Sequence, residues 1–102
     1  MIAIAIAVVL AATSMQAAAG SRQEFVVCLK QAVTKANGDK VKPGAFEVFA
    51  RQNCATQIGS FKQGLVSFDV KNGVARKRAE SDAELQIEDY LLGASEKLDP
   101  VP

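Results

Sequence analysis

The sequence has 102 residues, 49% of them hydrophobic, with twelve Lys and Arg against eleven Asp and Glu, a net charge of +1, and neither His nor Trp. A chain of this length makes one small domain with one thin core. Without histidine it has no histidine-based triad, no histidine general base and no Cys2His2 zinc site, and its near balance of charge argues against nucleic acid as a partner.

Residues 1–12 form an uninterrupted apolar run, Met-Ile-Ala-Ile-Ala-Ile-Ala-Val-Val-Leu-Ala-Ala. That length suits the core of a signal peptide and is too short to span a bilayer. Thr13, Ser14 and Gln16 end the run, and Ala17-Ala18-Ala19 offers small residues to a signal peptidase. The expectation is therefore a signal peptide over 1–19, with Gly20 as the new N-terminus. No Lys or Arg precedes the run, which leaves open an uncleaved anchor, a buried helix or a start further upstream.

An exported chain meets an oxidising compartment, where an even cysteine count favours pairing. The two cysteines are Cys28 and Cys54, too far apart for a Cys-x-x-Cys redox motif and too few to complete a zinc site. A structural disulfide is expected. In the chain-entropy model, closing a loop of that length stabilises the fold by roughly 3–4 kcal/mol.

Helical spacing dominates from residue 20 onward. Phe25, Cys28, Leu29, Ala32, Val33 and Ala36 recur at steps of three and four, which predicts a first helix over 21–36. Ser21 and Glu24 read as a capping box at its start, and Asn37-Gly38 as a left-handed cap at its end. Pro43 suits the beginning of the next helix. There Phe46, Phe49, Ala50, Cys54, Ile58, Phe61, Leu65 and Phe68 keep one period, predicting a single helix over 45–71. Gly59, Ser60 and Gly64 weaken it, and a bend is expected near Gly59 if anywhere.

Asn72-Gly73 closes the second helix. Val66, Phe68 and Val70 alternate just before it, as the first strand of a hairpin would, but Val74 to Glu80 is rich in helix formers and lacks alternation. The third helix is therefore predicted over 75–92, with Ala79, Ala83, Ile87, Tyr90, Leu91 and Ala94 inward. A second capping box at Ser81 and Glu84 would instead start it at Asp82. Residues 95–102 read as a flexible tail.

These elements make an all-α fold: a three-helix antiparallel bundle over 20–94, with a long central helix and one disulfide. Pairing Cys28 with Cys54 sets Ala32 opposite Ala50 and Ala36 opposite Phe46. The third helix pairs with the second through Leu65 with Ala83 and Phe61 with Ile87. Small alanines thus face large rings, so the helices approach closely.

Charge is uneven along the chain. From Ser21 to Arg78 eleven bases stand against four acids, whereas beyond Arg78 Lys97 is the single base among seven acids. Lys71, Arg76, Lys77 and Arg78 crowd the corner between the second and third helices, a candidate site for an anion such as a lipid phosphate. Pairs at i,i+4, Arg76 with Glu80 and Arg78 with Asp82, would neutralise much of it. The column Glu80, Glu84 and Glu88 would carry carboxylate chemistry or a divalent cation only in a partly buried site, and it lies on the polar side of the helix. No catalytic residue, metal site or cofactor is assigned.

Val26, Val48, Val66, Val70, Leu85 and Leu92 fall off the inner stripes and would make a docking patch if exposed together. The functional expectation is a small exported binding or accessory protein of the cell envelope, periplasmic or secreted, and not an enzyme. Its partner would be another protein or a second copy. The alternative is a peripheral protein that uses the basic corner on an anionic membrane.

Overall fold

The computed structural model describes the backbone of residues 2–100 and the side chains of residues 19–100. It has four helices, α1 (Ile2–Gly38), α2 (Pro43–Asn53), α3 (Ala55–Lys71) and α4 (Arg76–Ser95), and no strand among the described residues. The expected all-helical architecture holds, and so does the disulfide: the Cys28 and Cys54 sulfurs are bonded, with their Cα atoms 6.0 Å apart. The helix count does not. Four helices replace three, because the second predicted helix divides.

The division falls at Cys54, not at Gly59. Cys54 has φ −117° and ψ 25°, outside the helical region. Its backbone bonds persist, N–H to the Ala50 carbonyl at 2.8 Å and carbonyl from the Ile58 N–H at 2.8 Å, so the chain bends there without coming apart. Two causes can be named. The buried positions Phe46, Ala50, Cys54 and Ile58 are spaced by fours. At 3.6 residues per turn each step overshoots by about 40°, and a straight rod would rotate its apolar face away from the core. In addition, the Asn53 side-chain amide donates to the Phe49 carbonyl at 2.8 Å and so ends α2 as a local cap. Gly59 lies inside α3 and bends nothing.

Helix starts differ in a similar way. α1 passes unbroken through Gly20, so Ser21 and Glu24 are interior to it in the full chain. The apolar run of the expected signal peptide lies where side chains are outside the described residues. α2 starts at Pro43, two residues before the predicted Ala45, with the proline in its first turn. α4 starts at Arg76, and Ser81 is interior.

Of the two predicted stop signals one holds: Gly73 closes α3, whereas Gly38 stays helical within α1 and does not supply the left-handed cap. After α1 the left-handed residue is Lys40, φ 57°, and the Val41 N–H reaches back to the Ala36 carbonyl at 2.8 Å. After α3 it is Gly73, φ 92°, with the Val74 N–H on the Asp69 carbonyl at 2.9 Å. Each is the six-to-one bond of a Schellman motif. Val41 and Val74 then pack against the core, as the residue after such a cap commonly does.

α3 runs antiparallel to α1, which places Phe25 beside Phe61 with ring centroids 5.5 Å apart. α1 and α4 point the same way: Tyr90 meets Phe25 at 5.5 Å near one end, and the Asp99 N–H donates to Asn37 Oδ1 at 2.8 Å near the other. Phe25, Phe61 and Tyr90 form the centre of the core, with Tyr90 edge-on to both rings. Ala32, Ala36 and Ala50 are buried around it, and Ala79 and Ala83 in a smaller cluster with Val66, and they let the helices close. Val66, placed outside by its spacing, is buried against Ala79 and Ala83, because α3 is covered on two sides. Phe68, placed inside, is 39% exposed. The expected tail is tied down in part: Leu98 packs against the core, and Asp99 holds Asn37.

Candidate functional site

The basic corner is where the sequence places it, but the structure does not converge it. Lys71, Arg76, Lys77 and Arg78 are all exposed. Arg78 Nε lies 3.8 Å from Asp82 Oδ2, a long i,i+4 pair. Among the described residues Arg76 and Lys77 form no ion pair, so the expected Arg76–Glu80 pair is not made. Lys71 lines a shallow hollow of about 350 Å3 with Ser21 and Ser60, whereas Arg76 lines a separate one of about 370 Å3 with Lys62 and Glu80. What the corner does have is unfavourable local electrostatics. The first turn of α4 holds three cations and no acid, and its N-cap Ala75 offers no side-chain bond. The helix dipole puts partial positive charge at that same end.

The acidic column also divides. Glu80 and Glu88 are exposed, while Glu84 is half-buried and tied across helices. Arg51 Nη2 donates to Glu84 Oε1 at 2.6 Å, and Lys62 Nζ to Glu84 Oε2 at 3.3 Å. Arg51 also bonds Glu47 at 3.1 Å. Burial pushes the Glu84 carboxyl up, but the hydrogen bonds and charges of Arg51 and Lys62 outweigh it and hold the group below the ordinary glutamate value. Burial likewise lowers Arg51, and its two carboxylate partners outweigh that and raise it. This cluster is a clasp joining α2, α3 and α4. Among the described residues no three ligating side chains gather to hold a metal.

The six off-stripe residues do not assemble either. Val66 is buried, Val26 and Val70 are half-buried, and the exposed Val48, Leu85 and Leu92 are spread over α2 and α4.

The concavity with the clearest chemistry is one that sequence reasoning missed, a groove of about 480 Å3 between α1 and α4. Val26, Leu29 and Val33 form one wall, Tyr90 and Ala94 the other, with Gly93 between them and Lys30, Asp89 and Lys97 at the edges. It was hidden because the expected pairing set helices one and three each against helix two, never against each other. Gly93 is exposed at the groove, and an added Cβ there would meet nothing within 4 Å.

No family model, curated protein or solved structure matches the chain.

Proposed function

We propose that this chain is a small exported binding protein of the cell envelope or extracellular space, and that it binds in the α1–α4 groove. The groove carries this reading: its volume falls in the range of about 300–1,000 Å3 usual for ligand sites, and its walls are apolar with a few polar groups at the edge. Export is supported by the apolar run of residues 1–12, the small residues Ala17 to Ala19, and the Cys28–Cys54 bond, which persists in oxidising compartments. Cleavage after Ala19 would start α1 near Ser21 and give the Ser21–Glu24 capping box a helix end to cap. Among the described residues no helix is long and apolar enough to cross a membrane.

Native mass spectrometry of the protein purified without denaturation tests the groove. Wild-type protein should carry an adduct that the Gly93→Trp variant, whose ring fills the groove, lacks. A wild-type protein free of adduct, or an adduct that Gly93→Trp retains, would count against it.

One observation favours a second reading, an anionic membrane as partner: the three cations of the first turn of α4 repel one another at the positive end of the helix, and an anion there would relieve them. Co-sedimentation with vesicles containing an anionic phospholipid tests it. Binding at low salt that is lost at high salt would support it, and no binding at low salt would remove it.

A further inference from the structure

We infer that the α1–α4 groove takes a single-chain amphiphile with an anionic head, a medium-chain free fatty acid. This rests on reading the groove as a binding site and adds the chemistry of its occupant.

The walls decide the body of the ligand. Val26, Leu29, Val33, Tyr90 and Ala94 present hydrocarbon and one ring, and no polar side chain is buried anywhere among the described residues. A polar ligand body would lose its hydration there without recovering hydrogen bonds, whereas an alkyl chain gains from leaving water.

The edges decide the head. Lys97 is the single base among seven acids beyond Arg78, and it lies at this groove. Lys30 faces it from α1, and among the described residues neither forms an ion pair. The one acid, Asp89, lies on α4 well before Lys97, which follows the end of that helix. Because α1 and α4 run in the same direction, Asp89 stands near Val26 and Lys97 near Val33. The groove is therefore polarised, with Asp89 at one end, Lys97 at the other and Lys30 near the middle. A carboxylate between Lys30 and Lys97 would leave its alkyl chain lying along Leu29 and Val26 toward Tyr90.

Gly93 fits the same picture. A glycine inside a helix costs about 1 kcal/mol relative to alanine, and here it leaves the groove lining without a side chain where a Cβ would meet open space.

Dodecanoate, titrated below its micelle concentration into the disulfide-bonded protein, tests the proposal. The expected result is saturable binding at least tenfold tighter than that of dodecyltrimethylammonium, which has the same chain with a cationic head. Gly93→Trp should weaken dodecanoate at least tenfold without lowering the melting temperature. The double variant Lys30→Gln, Lys97→Gln should abolish the preference for the anion while leaving the cationic analogue bound as before. No dodecanoate binding, equal affinity for the two heads, or affinity unchanged by Gly93→Trp would each overturn it. Self-association that Gly93→Trp abolishes, in a protein that does not bind dodecanoate, would also overturn it and assign the groove to a second copy. If dodecanoate fails while the native protein carries another adduct that Gly93→Trp removes, the groove remains a binding site and only the fatty acid is wrong.

Discussion

Lys40 and Gly73 hold equivalent places, each the left-handed residue that closes a helix, yet only one is glycine. A side chain in that conformation costs on the order of 1–2 kcal/mol, offset in part by the lower entropy of a non-glycine residue in the unfolded chain. Lys40→Gly is therefore expected to stabilise by about 0.5–1 kcal/mol. Gly73→Ala should destabilise by about 1 kcal/mol, for conformational reasons alone, since an added Cβ meets no neighbour. Urea unfolding of both variants checks the opposite signs. Glu84 gives a pH signature. Its carboxyl is held below the ordinary value in the fold. The stability it contributes is thus present above the unfolded value of about 4.3 and is lost as pH falls through the lower folded value. With the side chains of Arg51 and Glu84 31% and 34% exposed, solvent screening limits the contribution to about 1 kcal/mol. Glu84→Gln should lower stability at pH 7 by that order and flatten the loss on acidification. An acid limb as steep as that of the wild type would show that the clasp is not populated.

At the scale of the helix, most of the pattern was legible because apolar spacing reports which face is buried. Every inner position assigned to the first and third helices is buried or half-buried. The second helix failed where spacing alone is ambiguous. Steps of four at Phe46, Ala50, Cys54 and Ile58 look periodic yet drift around a straight helix, and the bend at Cys54 absorbs the drift. Asn53 marks the end of α2 as Asn72 marks the end of α3, each donating its side-chain amide to the carbonyl four residues back at 2.8 Å. Only Asn72 is followed by glycine, so only it reads as a cap in the sequence. The bend sits where Cys28 is bonded, and the staple ties α1 to the junction of α2 and α3. Cys54→Ala should lower the melting temperature markedly under oxidising conditions, by roughly 3 kcal/mol of stability, and match the wild type once both are reduced. Equal melting under oxidising conditions would remove the staple from the account. At the start of α4, Lys77→Glu should stabilise by about 0.3–1 kcal/mol, because an acid there meets the helix dipole and the flanking arginines favourably. Loss of stability on that change would contradict the reading of the corner as strained.

For the whole molecule, the fold class could be read from residues close in sequence and the disulfide from the even cysteine count of a chain expected to be exported, whereas the groove could not. It depends on α1 and α4 lying side by side, a contact between segments some sixty residues apart, exemplified by Asp99 and Asn37. Local periodicity predicts which face is buried and not which helix covers it. The basic corner shows the converse: Lys71 and Arg76 are near in sequence yet line different hollows. Both readings of function presuppose an exported chain closed by Cys28–Cys54. The intact mass of the protein taken from the organism that makes it, with cysteines alkylated before and after reduction, tests this most directly. A chain beginning at Gly20 that accepts label only after reduction is the predicted result. A full-length chain whose cysteines label freely would contradict both the export and the staple.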